Sequence, residues 1–317
     1  MALLLYPLSL LFSLLSALRR MLWRSGFWRP VRLPVPVVVV GNIIAGGAGK
    51  TPLTLSLARA LAAAGRSPGI VSRGYGRSGE GVIPVYPGSD AAEVGDEPLL
   101  LSRRSGLPVF VGASRVAAAQ ALLAAHRGCD VILCDDGLQH YALARDVEVA
   151  VLDRRGLMNG WPLPAGPLRE PVSRLKRVDA LVLNGLEQTP LRGVPVFAMQ
   201  LEGARFQRLD APGERCSAAD LAGLRLHAVA GIGEPARFFD HLYGLGLSFD
   251  AHPFPDHHAY RAEELAFAGD AILTTEKDAV KFPASMPLPV WVLPVEARVD
   301  AALARLVLEK INGCTPA

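Results

Sequence analysis

The sequence predicts an α/β protein: a parallel sheet flanked by helices, a second and smaller α/β unit, and an apolar helix in front of both. Three observations predict it. Strand-like apolar runs alternate with helix-like stretches from Val35 onward, the pattern of a parallel sheet covered on both faces. One run, Val37 to Val40, is wholly β-branched, as expected of a strand buried on both sides, and it passes into a glycine loop closed by Lys50 and Thr51. Residues 1–18 contain no charged side chain.

The apolar front comes first. As a helix, 18 residues span about 27 Å, just short of a bilayer core of about 30 Å. Pro7 argues against a single straight span, and Ser9, Ser13 and Ser16 give one mildly polar stripe. Five arginines follow between Arg19 and Arg32, mixed with Trp23, Phe27 and Trp28, a composition suited to a membrane interface. The charge follows the apolar run, where a secretory signal would carry it in front. The expectation is a monotopic or dipping helix with the rest of the chain on the cytoplasmic side; the alternative is a helix packed on the protein's own core.

The net charge of +3 conceals an asymmetry. Ten basic residues precede the first acidic one, Glu80, so residues 1–79 carry +10 and the remainder −7. The amino-terminal part is built to meet an anionic partner. Half of the 317 residues are apolar and a fifth charged, which excludes a disordered chain. Cys129, Cys134, Cys216 and Cys314 have no CxxC spacing and read as reduced thiols, which excludes a disulfide framework.

The stretch Ile44, Ala45, Gly46, Gly47, Ala48, Gly49, Lys50, Thr51 has the order strand, glycine loop, Lys-Thr, helix. That is a phosphate-binding loop: backbone N–H groups and the helix amino terminus cradle phosphate oxygens, Lys50 reaches the β- and γ-phosphates, and the Thr51 hydroxyl can ligate Mg²⁺. The fold class is therefore P-loop NTPase-like. The usual spacing places a glycine five residues before Gly49, where this chain has Ile44. Pro52 suits the first helical turn.

The remaining elements follow in order. A helix runs from Thr51 to Ala64, and a strand over 69–72 leads into the basic loop Arg73-Gly-Tyr75-Gly-Arg77. This loop lies at a strand's carboxyl end, where open α/β sheets bind ligands, so Arg73, Tyr75 and Arg77 are candidate contacts to an anionic substrate. Val82–Tyr86 and Val109–Val111 read as strands, and Ser114 caps an alanine-rich helix. Val131–Cys134 is a buried strand ending in Asp135 and Asp136, the place where phosphate-loop enzymes organise Mg²⁺; one carboxylate faces the metal and the other the substrate. Gln139 and His140 of the same turn join the substrate candidates. Val147–Leu152 ends the first half.

The expected division is 1–32 as membrane-associated segment, 33–153 as phosphate-loop core, 154–177 as a proline-rich hinge, and 178–317 as a carboxyl-terminal α/β domain with strands at 180–183, 226–230, 271–275 and 289–293 and a closing helix from Val299. Two loops of that domain carry polar chemistry. His257 lies in Phe254-Pro-Asp-His-His258; a carboxylate tuned by an imidazole would serve as base for phosphoryl transfer to an alcohol, with Asp96 as the candidate partner. His252, Asp256, His257 and His258 also form a possible metal cluster, without a recognisable ligand spacing. In Thr274-Thr-Glu-Lys277-Asp278 the lysine and aspartate are adjacent, which fails the guanine-specificity pattern and favours ATP.

Together these pieces resemble the lipid A 4′-kinases (tetraacyldisaccharide 4′-kinases) of Gram-negative bacteria. The resemblance rests on Gly-Asn-x-x-x-Gly-Gly-x-Gly-Lys-Thr-Pro at 41–52, Ser-Arg-Gly-Tyr-Gly-Arg at 72–77, Gly-Asp-Glu-Pro at 95–98, Asp-Asp-Gly-Leu-Gln-His at 135–140, Gly-Pro-Leu-Arg-Glu-Pro at 166–171, Phe-Pro-Asp-His-His at 254–258 and Thr-Thr-Glu-Lys-Asp-Ala-Val-Lys at 274–281. The order and number of these motifs carry it, and the residue at Ile44 becomes a family mark. The resemblance implies ATP-dependent phosphorylation of the 4′-hydroxyl of a tetraacylated glucosamine disaccharide 1-phosphate at the cytoplasmic face of the inner membrane. It implies a monomer with no nucleic-acid partner, Asp96 as base paired with His257, Thr51 and Glu170 as Mg²⁺ ligands, and Asp135 and Asp136 as aids to metal and substrate. Two alternatives stand beside it. One is a membrane-associated ATPase or GTPase switch of the partition or metal-chaperone type, which Ala45 counts against because such loops often carry lysine there. The other is a non-catalytic nucleotide sensor.

Overall fold

A computed structural model describes residues 2–188 and 191–313; Cys314 lies outside them. Two sheets organise the chain. The larger has nine strands in the order 296–299, 196–202, 180–184, 147–153, 37–41, 131–135, 68–72, 109–111 and 83–85. All neighbours pair in parallel except at the two edges, where 296–299 and 83–85 run antiparallel. The strand Val37–Gly41 sits near the middle, buried at every residue. From it the chain winds to one edge, returns to the near side at 131–135, and crosses to the far side at 147–153. That reversal puts a crevice at the carboxyl end of Val37–Gly41, the place such sheets reserve for ligands.

The smaller sheet has six strands in the order 215–217, 205–208, 290–293, 271–275, 226–230 and 249–253, the last four parallel. The expected strands at 226–230 and 271–275 are present to the residue. The strands 196–202, 205–208, 215–217, 249–253 and 296–299 have no counterpart among the expected elements. All five lie at a sheet edge or pair antiparallel to a neighbour, and all are partly exposed, so they lack the continuous apolar run that marks a buried parallel strand.

The expected division at 154–177 needs correction. Strands 180–184, 196–202 and 296–299 and the helix Ala301–Asn312 belong to the large sheet, so the second sheet is an insertion between 202 and 296. The reason is packing: Leu303, Val307 and Ile311 share one core with Val149, Val182 and Leu57. The proline-rich stretch is not a free hinge either. Ala45 donates to the carbonyl of Pro167, Arg169 donates to that of Ile43, and Ile44 bridges Leu168, so residues 166–170 are bound along the phosphate loop.

In front, Ala2–Arg24 is one 23-residue helix through Pro7. Only 6% of its apolar window is buried, so the reading of a helix packed on the core does not describe it. Near its start it is held on the proline-rich stretch: the Ser9 hydroxyl donates to the carbonyl of Pro162 at 3.0 Å and accepts from the Ala165 N–H at 2.8 Å, and Tyr6 packs on Trp161.

Candidate active site

The glycine loop adopts the conformation its composition allows. Gly46 and Gly49 have φ of 94° and 90°, a left-handed backbone that a side chain would strain. At Gly41 a Cβ would lie 2.6 Å from the Leu138 Cβ, so the turn after Asp136 can close on this strand only over glycine. Lys50 opens the helix Lys50–Ala63 and bends back over the loop, with Nζ 3.4 Å from the Gly46 carbonyl and 3.7 Å from Asp136 Oδ1. Asp136 also accepts from Arg169 at 3.1 Å. Burial would raise its proton affinity, but Lys50 and Arg169 prevail and hold it below the usual carboxylate value.

Asp135 faces the other way. Its carboxylate is fully buried and accepts from Thr54 Oγ1 at 2.8 Å and Thr51 Oγ1 at 3.4 Å. Burial, then the charge of Glu97, pushes it up to about 7. The adjacent pair is thus divided as its alternation requires, one beside the Thr51 hydroxyl and one beside cations. Asp136 takes a left-handed backbone (φ 46°) to do so.

Asp96 and His257 meet. Asp96 opens the helix Asp96–Ser105 of the large-sheet unit; His257 follows the edge strand of the small sheet. Nδ1 of His257 lies 2.9 and 3.1 Å from the two oxygens of Asp96. Burial works to protonate Asp96, but the hydrogen bond from His257 and the charge of Lys277 keep it below its ordinary value. The same hydrogen bond lifts His257 above its ordinary value, against burial and Lys277. His257 too has a positive φ, 62°, a cost the surrounding contacts sustain.

The two sheets close on each other at their carboxyl ends. A cavity of about 280 Å³ is lined by Gly47 to Pro52 and Glu97 on one side and by Ile232, Gly233, Arg237 and Lys277 on the other. At Gly233 a Cβ would stand 3.2 Å from the Gly47 nitrogen, so glycine permits this approach.

The expected substrate residues divide. His140 is half-buried, with Nε2 covered and unpartnered, and burial plus Arg115, Arg145, Arg19 and Arg73 drive it down to about 4. Arg19, from the end of the first helix, donates to the Gln139 carbonyl at 3.5 Å. Gln139 itself donates to the carbonyl of Asn42 and to Glu170. Tyr75 is exposed and packs 5.1 Å from the His257 ring. Arg77 folds onto its own loop, donating to the Gly81 carbonyl.

Glu170 is engaged by Gln139 and Tyr141, with Arg20 and Arg174 each 3.9 Å away. No hydrogen bond links it to Thr51, Asp135 or Asp136 among the described residues. The possible histidine metal cluster is dispersed: His252 pairs with His227, His257 with Asp96, and His258 with Glu264. Among the described residues no three His, Cys, Asp or Glu side chains are grouped to hold a metal by themselves.

Several site residues carry no sequence signal. Asn184, at the end of its strand, donates to the Ala48 carbonyl at 3.0 Å and accepts from Arg237. Arg155 donates to the Gly47 carbonyl while held by Asp153. Only the strand ends in which they sit, at the sheet edge that binds ligands, could have pointed to them.

The family profile described as tetraacyldisaccharide-1-P 4′-kinase (LpxK) matches residues 1–312. The tetraacyldisaccharide 4′-kinase of Dechloromonas aromatica is 58% identical over 98% of this chain and 92% of its own length. That of an Azoarcus species is 54% identical over 99% and 93%. A crystal structure of LpxK from Aquifex aeolicus in complex with ATP superimposes with a TM-score of 0.82 at 30% identity, covering 98% of this chain and 99% of that one. None of these similarities favours a nucleotide switch or metal chaperone. A profile match along almost the whole chain, with relatives above half identity, shows that this protein belongs to the tetraacyldisaccharide-1-P 4′-kinase family.

Proposed function

We propose that the chain transfers the γ-phosphoryl group of ATP to the 4′-hydroxyl of a tetraacylated disaccharide 1-phosphate. One observation supports the assignment of roles: Glu97 and Lys277, which line the cavity with the glycine loop and Lys50, adjoin the Asp96–His257 pair, whose aspartate comes from the large-sheet unit and whose histidine comes from the small one. ATP lies in the cavity between Gly47–Thr51 and Arg237. Lys50 reaches its terminal phosphates, and the loop N–H groups stabilise the charge that develops there. Asp96, ionised and oriented by Nδ1–H of His257, takes the proton of the attacking hydroxyl.

Thr51 and Asp135 suit Mg²⁺. A hydroxyl lies beside a buried carboxylate whose proton affinity is raised by burial and by the charge of Glu97, which a divalent cation would relieve. Bound there with phosphate oxygens, the ion would neutralise charge on the triphosphate. Asp136 remains with Lys50 and Arg169 on the acceptor side. The Glu170 assignment rests on the resemblance alone, since its present partners are Gln139 and Tyr141.

The acceptor approaches from the first helix. Its exposed leucines would enter the cytoplasmic leaflet of the inner membrane, and Arg19 and Arg20 would then stand at the head-group level beside His140 and Arg73. A monomer suffices, since both halves of the crevice come from one chain. The test is transfer of label from γ-labelled ATP to the acylated disaccharide 1-phosphate by the purified full-length protein. No transfer in the presence of Mg²⁺ and detergent-dispersed lipid would refute the reading.

A further inference from the structure

Lys277 stands where the nucleotide cavity and the Asp96–His257 pair meet. It lies in the single helical turn Glu276–Ala279, which Thr275 caps at the end of a small-sheet strand. Its Nζ is 3.0 Å from Glu97 Oε1, 3.1 Å from Asp256 Oδ1 and 3.5 Å from Nε2 of His257. Burial alone would lower its proton affinity, but Glu97, Asp96 and Asp256 hold it well above the ordinary lysine range, so it remains an ammonium ion.

An ammonium ion has three donors and no acceptor. Two reach Glu97 and Asp256; the third faces Nε2, which can receive it only with a bare lone pair. A neutral imidazole with Nε2 bare carries its proton on Nδ1, where Asp96 accepts it. We propose that Lys277 is a positioning residue of the Asp96–His257 pair, selecting the Nδ1–H tautomer of His257 and keeping the ring uncharged while Asp96 accepts the substrate proton. This inference rests on the reading of that pair as the base.

The groups facing His257 are few. Asp96 and Glu97 come from one helix, and Asp256, with Oδ2 3.7 Å from Nε2, from its own loop. Lys277 comes from the capped turn, Lys281 lies 3.6 Å from Asp96, and the Tyr75 ring covers the remaining side. The acids favour a charged imidazole, and Lys277 is the cation in contact with the ring that opposes them. Removing it raises the proton affinity of both His257 and Asp96, so the acid limb of activity must move to higher pH.

The experiment compares kcat/KM for the lipid against pH, at saturating ATP, for the wild type, Lys277→Met, Lys277→Arg and His257→Gln, all full-length. It adds the ring ¹⁵N resonances of His257. Lys277→Met should move the acid limb up by about one pH unit, so that the loss is about tenfold below the limb and small above it. Lys277→Arg should restore the limb. In the wild type Nε2 should resonate as an unprotonated nitrogen at pH 8, and in Lys277→Met its protonation should begin at higher pH. A limb that stays in place, an equal loss at every pH, or a protonated Nε2 in the wild type at pH 8 would overturn the proposal. A His257→Gln enzyme that retains the wild-type acid limb would instead overturn the reading of the pair as base, leaving the ¹⁵N resonances to judge Lys277. Should Lys277→Met fail to fold, Lys277→Gln carries the same expectations.

Discussion

The large and small sheets meet at their carboxyl ends, yet they hold their functional groups in different ways. In the large sheet the groups hang directly from central strands that are buried at all but one residue: the glycine loop follows 37–41, Asp135 ends 131–135, and Asp153 and Asn184 end 147–153 and 180–184. Their positions are fixed by a hydrogen-bonded ladder and a continuous apolar core. In the small sheet His257 follows an edge strand that is half-exposed, and Lys277 sits on a single capped turn. These groups are held by ion pairs across the crevice, to Asp96 and Glu97, more than by their own sheet. One side is a glycine loop anchored on a buried parallel ladder; the other is a set of charges whose placement depends on that loop's unit being opposite.

Breaking the loop side should have the largest effect. Lys50→Ala should abolish phosphoryl transfer, a loss of at least ~10³-fold by analogy with removal of other preorganised transition-state contacts; labelled-phosphate transfer checks it, and retention of most activity would exclude the phosphate-loop role. Asp96→Ala tests the opposite side of the crevice. Turnover should fall by ~10²–10⁴ with ATP affinity little changed, as for loss of a general base. A variant that only weakens ATP binding would move Asp96 out of that role.

Asn184→Ala probes how the loop is supported. It leaves the Ala48 carbonyl and Arg237 without their partner, a cost of about 1–3 kcal/mol, and should raise the KM for ATP more than it lowers kcat in steady-state kinetics. Deleting residues 1–18 should leave the crevice assembled and release the protein from membranes in a sedimentation assay; a truncated form that still pellets with vesicles would place the anchor elsewhere.

The smallest effect concerns the charges that join the sheets. Asp96 is lowered from 3.8, so its contribution to stability is present above that pH and lost as pH falls through its folded value. His257 is raised from 6.5, so its contribution is full below 6.5 and lost as pH rises through its folded value. The difference in Tm between the wild type and His257→Ala should therefore be greatest between about pH 4 and 6.5 and shrink on either side. A difference that is flat across this range would show that the pair does not tie the sheets together.

The same contrast explains what could be read in advance. Val37–Val40 and Val131–Cys134 are apolar on both faces, so their strands and the polar residues at their ends were legible. The strands at 249–253 and 296–299 alternate and sit at edges, so they were not. The hinge expected at 154–177 failed because proline and glycine signal irregular backbone without saying whether it is free; here it is bound along Ile43–Ala45.

By itself the sequence determined the parallel core, the glycine loop, the exposed apolar helix with its arginines, and the family through seven ordered motifs. These are local properties: periodicity, backbone freedom at glycine and charge along the chain act over a few residues. Only the tertiary structure decided that 180–202 and 296–312 return to the first sheet, and that His257 and Lys277 cross 161 and 180 positions of sequence to reach Asp96 and Glu97. Such contacts depend on which elements pack together, and that choice is made by the shared core of Leu303, Val307 and Val182, not by any local pattern around the residues that meet.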